Sequence, residues 1–115
     1  MRKTEEANLQ KAVAKYLDLL GVLWFHCPNG GTRNVREAAN LKAQGVKRGI
    51  SDVIILEPRG CYHGLMIELK SAKGRLSESQ KIFLKKCDAN GYAVSVCHSF
   101  DSAKYVIDTY MSFKE

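Results

Sequence analysis

The sequence predicts an α/β fold: an α+β mixed sheet flanked by helices. Three observations predict it. Segments with apolar residues at helical spacing alternate with short runs of branched and aromatic residues, in the order α-β-α-β-β-α-β-α. Glycine, proline and asparagine punctuate most of the junctions. One run, Val53-Ile54-Ile55-Leu56, is apolar throughout, which suits a strand covered on both faces.

Thr4 to Leu20 reads as the first helix. Thr4 is placed to cap it, and Glu5 and Glu6 suit the positive end of its dipole. Leu9, Val13, Tyr16, Leu17 and Leu20 recur on one apolar face, and Gly21 is a natural stop. Val22 to His26 has strand composition. Pro28-Asn29-Gly30-Gly31 then breaks regular structure, and a second helix runs from Asn34 to Gln44, ended by Gly45. Ser51 to Leu56 and Tyr62 to Lys70 are strands joined by the turn Pro58-Arg59-Gly60, which predicts an antiparallel hairpin. Ser77 caps a helix that ends at Asn90-Gly91, weighted by Ile82, Phe83 and Leu84. Tyr92 to His98 is the next strand. Asp101 caps a last helix reaching about Phe113, with Ala103, Val106, Ile107 and Tyr110 on its inner side.

A chain of 115 residues suits one domain, 1–115. No run of eighteen apolar residues predicts a membrane span. The first residues, Met1-Arg2-Lys3-Thr4-Glu5-Glu6, form no secretory h-region, so a cytoplasmic location is the expectation. A net charge of +6 favours a polyanionic partner or mere solubility in about equal measure. Cys27, Cys61, Cys87 and Cys97 lack the close paired spacing of a structural zinc site, although three of them lie near His26, His63 and His98.

The chemistry lies in Ser51-Asp52 and Ile67-Glu68-Leu69-Lys70. Residues two apart on a strand share a face, so Glu68 and Lys70 project together while Ile67 and Leu69 point into the core. A hairpin brings Asp52, at the start of one strand, beside Glu68, near the end of the other. Two carboxylates with the Leu69 backbone carbonyl suit Mg²⁺, which takes oxygen ligands and keeps water and phosphate in its remaining positions. Lys70 is then placed to orient a water or to stabilise charge on phosphoryl oxygens. Glu-x-Lys alone is also an ordinary solvent-facing strand pair, and an aspartate at a strand entry also terminates turns.

Further motifs stand around this pair: Glu6-x-x-Leu9-Gln10, Asn29-Gly30-Gly31-x-Arg33, Gly49-x-Ser51-Asp52 and Gly74-Arg75-Leu76-Ser77-x-x-Gln80. With them, from Glu6 to about His98, the chain resembles the virus-type replication-repair nuclease (VRR-NUC) family of the PD-(D/E)XK nuclease superfamily, in the stand-alone form found in phages. The resemblance implies a restriction-endonuclease-like core, a divalent metal (Mg²⁺ or Mn²⁺) and cleavage of DNA phosphodiesters. By position it implies Asp52 and Glu68 as metal ligands and Lys70 as the catalytic lysine. Glu6 is implied as an acid reaching the site through metal or water, and Gln80 as a glutamine supporting the site. Ser51 stands where the superfamily name has proline. Glu6 also complements a helix dipole, and Ser77-x-x-Gln80 is also a capping box, so both residues carry two readings.

Arg33, Arg36, Lys42, Lys47, Arg48, Lys73 and Arg75 flank the motifs and are the candidate phosphate contacts. No recognition helix or other base-reading device is visible, which favours cutting by structure (branched, flap or four-way junction DNA) over cutting by sequence. The stand-alone members also imply a homodimer. Tyr105, Tyr110 and Phe113 on the last helix are candidates either for a self-association face or for core packing. A non-catalytic nucleic-acid-binding module is the alternative function; the intact Asp52, Glu68 and Lys70 argue against it.

Overall fold

The computed structural model describes residues 2–28 and 34–115. The Asn29-Gly30-Gly31-x-Arg33 motif, with the expected phosphate contact of Arg33, lies outside them. Eight elements follow in the expected order: α1 (Arg2–Leu20), β1 (Trp24–Phe25), α2 (Val35–Ala43), β2 (Val53–Ile55), β3 (Leu65–Leu69), α3 (Glu78–Ala89), β4 (Ala93–Cys97) and α4 (Phe100–Met111). The strands form one mixed sheet in the order β1-β2-β3-β4. The first two pairings are antiparallel, and β3 pairs β4 in parallel. A parallel pair needs a crossover, and α3 supplies it.

The sheet separates two apolar layers, because alternate residues of a strand face opposite ways. On one side Val53, Ile55, Leu65, Ile67 and Leu69 pack with Val13 and Leu17 of α1 and with Ala103, Ile107 and Tyr110 of α4. On the other, Ile54 and Met66 pack with Leu84 of α3. The all-apolar β2 is therefore covered on both faces, as expected.

Several local expectations change. Thr4 lies inside the first turns of α1, which begins at Arg2, so it is not the cap. Ser99, not Asp101, caps α4: its side chain accepts from the Ser102 amide, and Asp101 sits in the first turn. Leu20, the last residue of α1, is 45% exposed and does not join the apolar face buried by Val13 and Leu17. The α2 helix contributes no buried residue to the core. Tyr110 is buried, its ring packs beside Tyr62 and Phe113, and its hydroxyl donates to the Glu57 carbonyl. It thus serves the core, while Tyr105 is exposed, so the aromatic residues of the C-terminal segment do not form one surface face. Among the described residues, no helix is long and apolar enough to cross a membrane.

Candidate active site

The β2–β3 register builds the site. Val53 pairs with Ile67, Ile54 with Met66 and Ile55 with Leu65. Continuing one step sets Asp52 opposite Glu68. The strands no longer pair by backbone there: the Asp52 side chain takes over, its Oδ2 accepting from the Leu69 amide at 2.8 Å. An antiparallel residue sends its N–H and C=O toward the same neighbour, so the Leu69 carbonyl leaves the strand on the Asp52 side. His26, beyond the end of β1, donates from Nδ1 to the Asp52 carbonyl at 2.6 Å. Asp52 is thus held at its side chain by β3 and at its backbone by the segment after β1. Sequence reasoning did not single out His26 for this role; its position just beyond an edge strand was the only cue.

Glu68 faces the α3 side of the sheet and is only 2% exposed, which excludes the ordinary surface pair. Its Oε2 lies 4.0 Å from the Lys70 Nζ and accepts from Gln80 Nε2 at 3.1 Å. Its Oε1 is buried with no hydrogen-bond partner among the described residues. Burial and the adjacent Asp52 carboxylate push the Glu68 carboxyl up to about 9, against the pull of Lys70, with Glu6 adding a smaller push in the same direction. Two carboxylates side by side in a dry setting hold together only with a proton or a cation between them. The donor set is oxygen-rich, and one Glu68 carboxyl oxygen has no hydrogen-bond partner among the described residues. These residues therefore fit a small divalent cation of the Mg²⁺ class.

Gln80 caps α3 and also reaches Glu68. Its Oε1 accepts from the Ser77 amide at 2.8 Å while its own amide donates to Ser77 Oγ at 3.2 Å, which completes the capping box of α3. Its Nε2 is left to reach Glu68. A carboxamide has one acceptor end and one donor end, so a single side chain can cap a helix and hold a carboxylate. Gly49 keeps this turn in place. It adopts φ +76°, and a Cβ there would stand 2.4 Å from the Ser79 carbonyl oxygen and 2.8 Å from the Gln80 amide nitrogen. Only glycine lets the segment before β2 pack this closely on the first turn of α3.

The remaining sequence-predicted residues fall into distinct places. Glu6, partly buried on α1, acts on Glu68 through its charge, and no hydrogen bond joins it to Asp52, Glu68 or Lys70. Lys73 and Arg75 are exposed in the loop that follows Lys70, and Arg36 is exposed on α2. Lys42, Lys47 and Arg48 line a groove together with Gln80. The histidine–cysteine neighbours do not gather: His26 is committed to Asp52, His98 Nδ1 is bonded to the Ser71 carbonyl, and Cys97 is in the core. Among the described residues, no three His, Cys, Asp or Glu side chains are placed to share a metal. Ser51 and Ser71, each one position outside Asp52 and Lys70, are buried, with hydroxyls that have no partner among the described residues and that the sequence reading did not flag.

Comparison with known proteins bears on this arrangement at the level of fold and family. The sequence model of the VRR-NUC domain matches residues 3–101. A solved structure described as a VRR-NUC domain protein superposes with a TM-score of 0.82 at 29% identity, covering 96% of this chain and 90% of that one. A second, described as a VRR-NUC domain, gives a TM-score of 0.65 at 20% identity over 92% of this chain and 97% of that one, a likeness of fold. No curated protein matches. With a mixed sheet that gathers Asp52, Glu68 and Lys70 at the ends of two adjoining strands, and a domain match over nearly its whole length, this chain belongs to the VRR-NUC family and has its nuclease-like core.

Proposed function

We propose that this domain is a metal-dependent DNA endonuclease that hydrolyses phosphodiester bonds in branched, flap or four-way junction DNA. The observation that carries the reading is the convergence on buried Glu68: Asp52 beside it, Lys70 Nζ at 4.0 Å and Gln80 Nε2 at 3.1 Å. Asp52 and Glu68, with the Leu69 carbonyl, would hold Mg²⁺ or Mn²⁺, and Glu6 would contribute through water. When bound, the cation supplies charge neutralisation at the scissile phosphate and lowers the pKa of water. The protein's own groups do the rest. Leu69 N–H and His26 fix Asp52, Gln80 fixes Glu68 Oε2, and the Lys70 ammonium faces the charge that develops on phosphoryl oxygens. No covalent protein nucleophile is needed. Two copies acting as a homodimer would set two such centres against opposed strands of a junction.

The test is cleavage of linear duplex, flap, hairpin and four-way junction DNA in Mg²⁺ or Mn²⁺ by wild type, Lys70→Ala and Asp52→Ala. Wild type cuts the structured substrates in preference to linear duplex, and both variants lose activity by at least 10²-fold, about what one electrostatic catalytic group contributes. Wild type that cuts none of them, or variants that cut as well as wild type, sinks the proposal. Sedimentation of wild type alone and with junction DNA checks the dimer.

A further inference from the structure

A groove of about 750 Å³ runs between the end of α2 and the first turn of α3. Its lining joins Lys42, Lys47 and Arg48 to Ser79 and Gln80, with Ala38, Leu41 and Val46 as its apolar part. Among the described residues, no carboxylate and no aromatic ring lines it. All three cations are exposed, and none is in an ion pair with any described residue. Lys85 and Lys86 on α3 are likewise in no ion pair with a described residue, but they do not share a concave surface with one another and with a third cation as these three do. Three uncompensated positive charges sharing one concave surface repel one another, and an anion with several charges along its length relieves them.

We propose that this groove is the subsite for the sugar–phosphate backbone of the nucleic-acid strand on one side of the cut. The proposal rests on the nuclease reading and adds where the strand runs. Charge selects the phosphodiester backbone as the occupant. The absence of aromatic side chains removes the stacking platform that a base-binding channel uses. Contacts to phosphates position a strand without reading it, so the subsite serves recognition of shape. Gln80 connects the groove to the catalytic centre, since it lines the one and holds Glu68 in the other. Arg36, Lys73 and Arg75, which the sequence placed on an equal footing with Lys42, Lys47 and Arg48, are not part of this groove.

The experiment is equilibrium binding of DNA to the full chain over a range of KCl concentrations, with Ca²⁺ replacing Mg²⁺ to limit cleavage. Three proteins are compared: wild type, Lys47→Ala/Arg48→Ala, and Lys85→Ala/Lys86→Ala. The last pair removes the same charge from exposed positions of α3 outside the groove. Each lost phosphate contact lowers the slope of log K against log[salt] by about 0.9 for duplex, so the groove variant loses nearly two units of slope. Its affinity falls alike for unrelated sequences. The Lys85/Lys86 variant keeps the wild-type slope. An unchanged slope in the groove variant, an equal loss in the control variant, or a loss confined to some sequences overturns the subsite and leaves the nuclease reading intact. Wild type that binds DNA but cleaves none in Mg²⁺ or Mn²⁺ overturns the reading beneath it instead.

Discussion

Replacing Gln80 with glutamate separates the two tasks of that side chain. Glutamate at the third position of a helix serves a capping box as well as glutamine does, so the bond to the Ser77 amide survives. The donor to Glu68 does not: the amide nitrogen now 3.1 Å from Glu68 Oε2 becomes a second carboxylate oxygen. A hydrogen bond to a charged group is worth about 1.5–3 kcal/mol. If that is expressed fully in the transition state, the cleavage rate falls about 10- to 150-fold. Repulsion between the two carboxylates deepens the loss. Ser77→Ala is the mirror experiment. It removes the cap's hydroxyl, costs about 1 kcal/mol of stability and leaves Gln80 Nε2 on Glu68. The assays are single-turnover cleavage of the preferred DNA and urea denaturation of each protein. Gln80→Glu shows near-native stability with a large loss of rate, and Ser77→Ala the reverse, with a rate within about twofold of wild type. Cleavage by Gln80→Glu at the wild-type rate, or equal rate losses in both variants, would refute the dual role and leave Gln80 as a helix cap alone.

Three further outcomes are expected. Mg²⁺ or Mn²⁺ at a hundred times its dissociation constant stabilises wild type by about 2.7 kcal/mol, seen as a rise in Tm that EDTA reverses. Asp52→Asn and Glu68→Gln show no such rise, and a rise equal to wild type in both would remove these carboxylates as ligands. Lys104, with the Tyr16 hydroxyl, holds the Asp108 carboxyl below the usual carboxylate range. Its stabilisation is therefore present above the ordinary carboxylate pKa and is lost as pH falls through the depressed folded value. The stability gap between wild type and Asp108→Asn, measured by denaturation, should be present at neutral pH and close toward pH 2; a gap that widens on acidification contradicts the assignment. Leu17→Ala costs about 2–5 kcal/mol, because Leu17 is wholly buried, whereas Leu20→Ala costs less than about 1 kcal/mol. Equal losses in the two denaturation midpoints would mean that the end of α1 packs differently from what its exposure shows.

Much of this protein was legible from local pattern. Periodicity and punctuation gave all eight elements in order, since helical and strand spacing are properties of the chain itself. The two-residue alternation of β3 put Glu68 and Lys70 on one face and Leu69 in the core without knowledge of any neighbour. The antiparallel hairpin of β2 and β3 followed from the turn between them, and with it the approach of Asp52 to Glu68. Helix ends were less secure, because Thr4 and Asp101 have the right chemistry for caps, and only the path of the preceding backbone decides which residue caps.

The tertiary structure decided what pattern could not. Whether Glu68 is a surface ion-pair partner or a buried carboxylate depends on α3, which crosses over to make β3 and β4 parallel and closes that face of the sheet. The same crossover carries Gln80 to Glu68, twelve residues away in sequence, while its cap bond stays local. Glycine at position 49 reads as a turn residue in sequence, yet its necessity lies in a 2.4 Å approach to the Ser79 carbonyl that exists only once α3 has docked. Burial, like-charge proximity and the closing of the Lys42–Arg48 segment into a groove against α3 are sums over elements distant in the chain. Local spacing therefore determined which residues this nuclease-family domain presents, and packing determined how far their charges are felt.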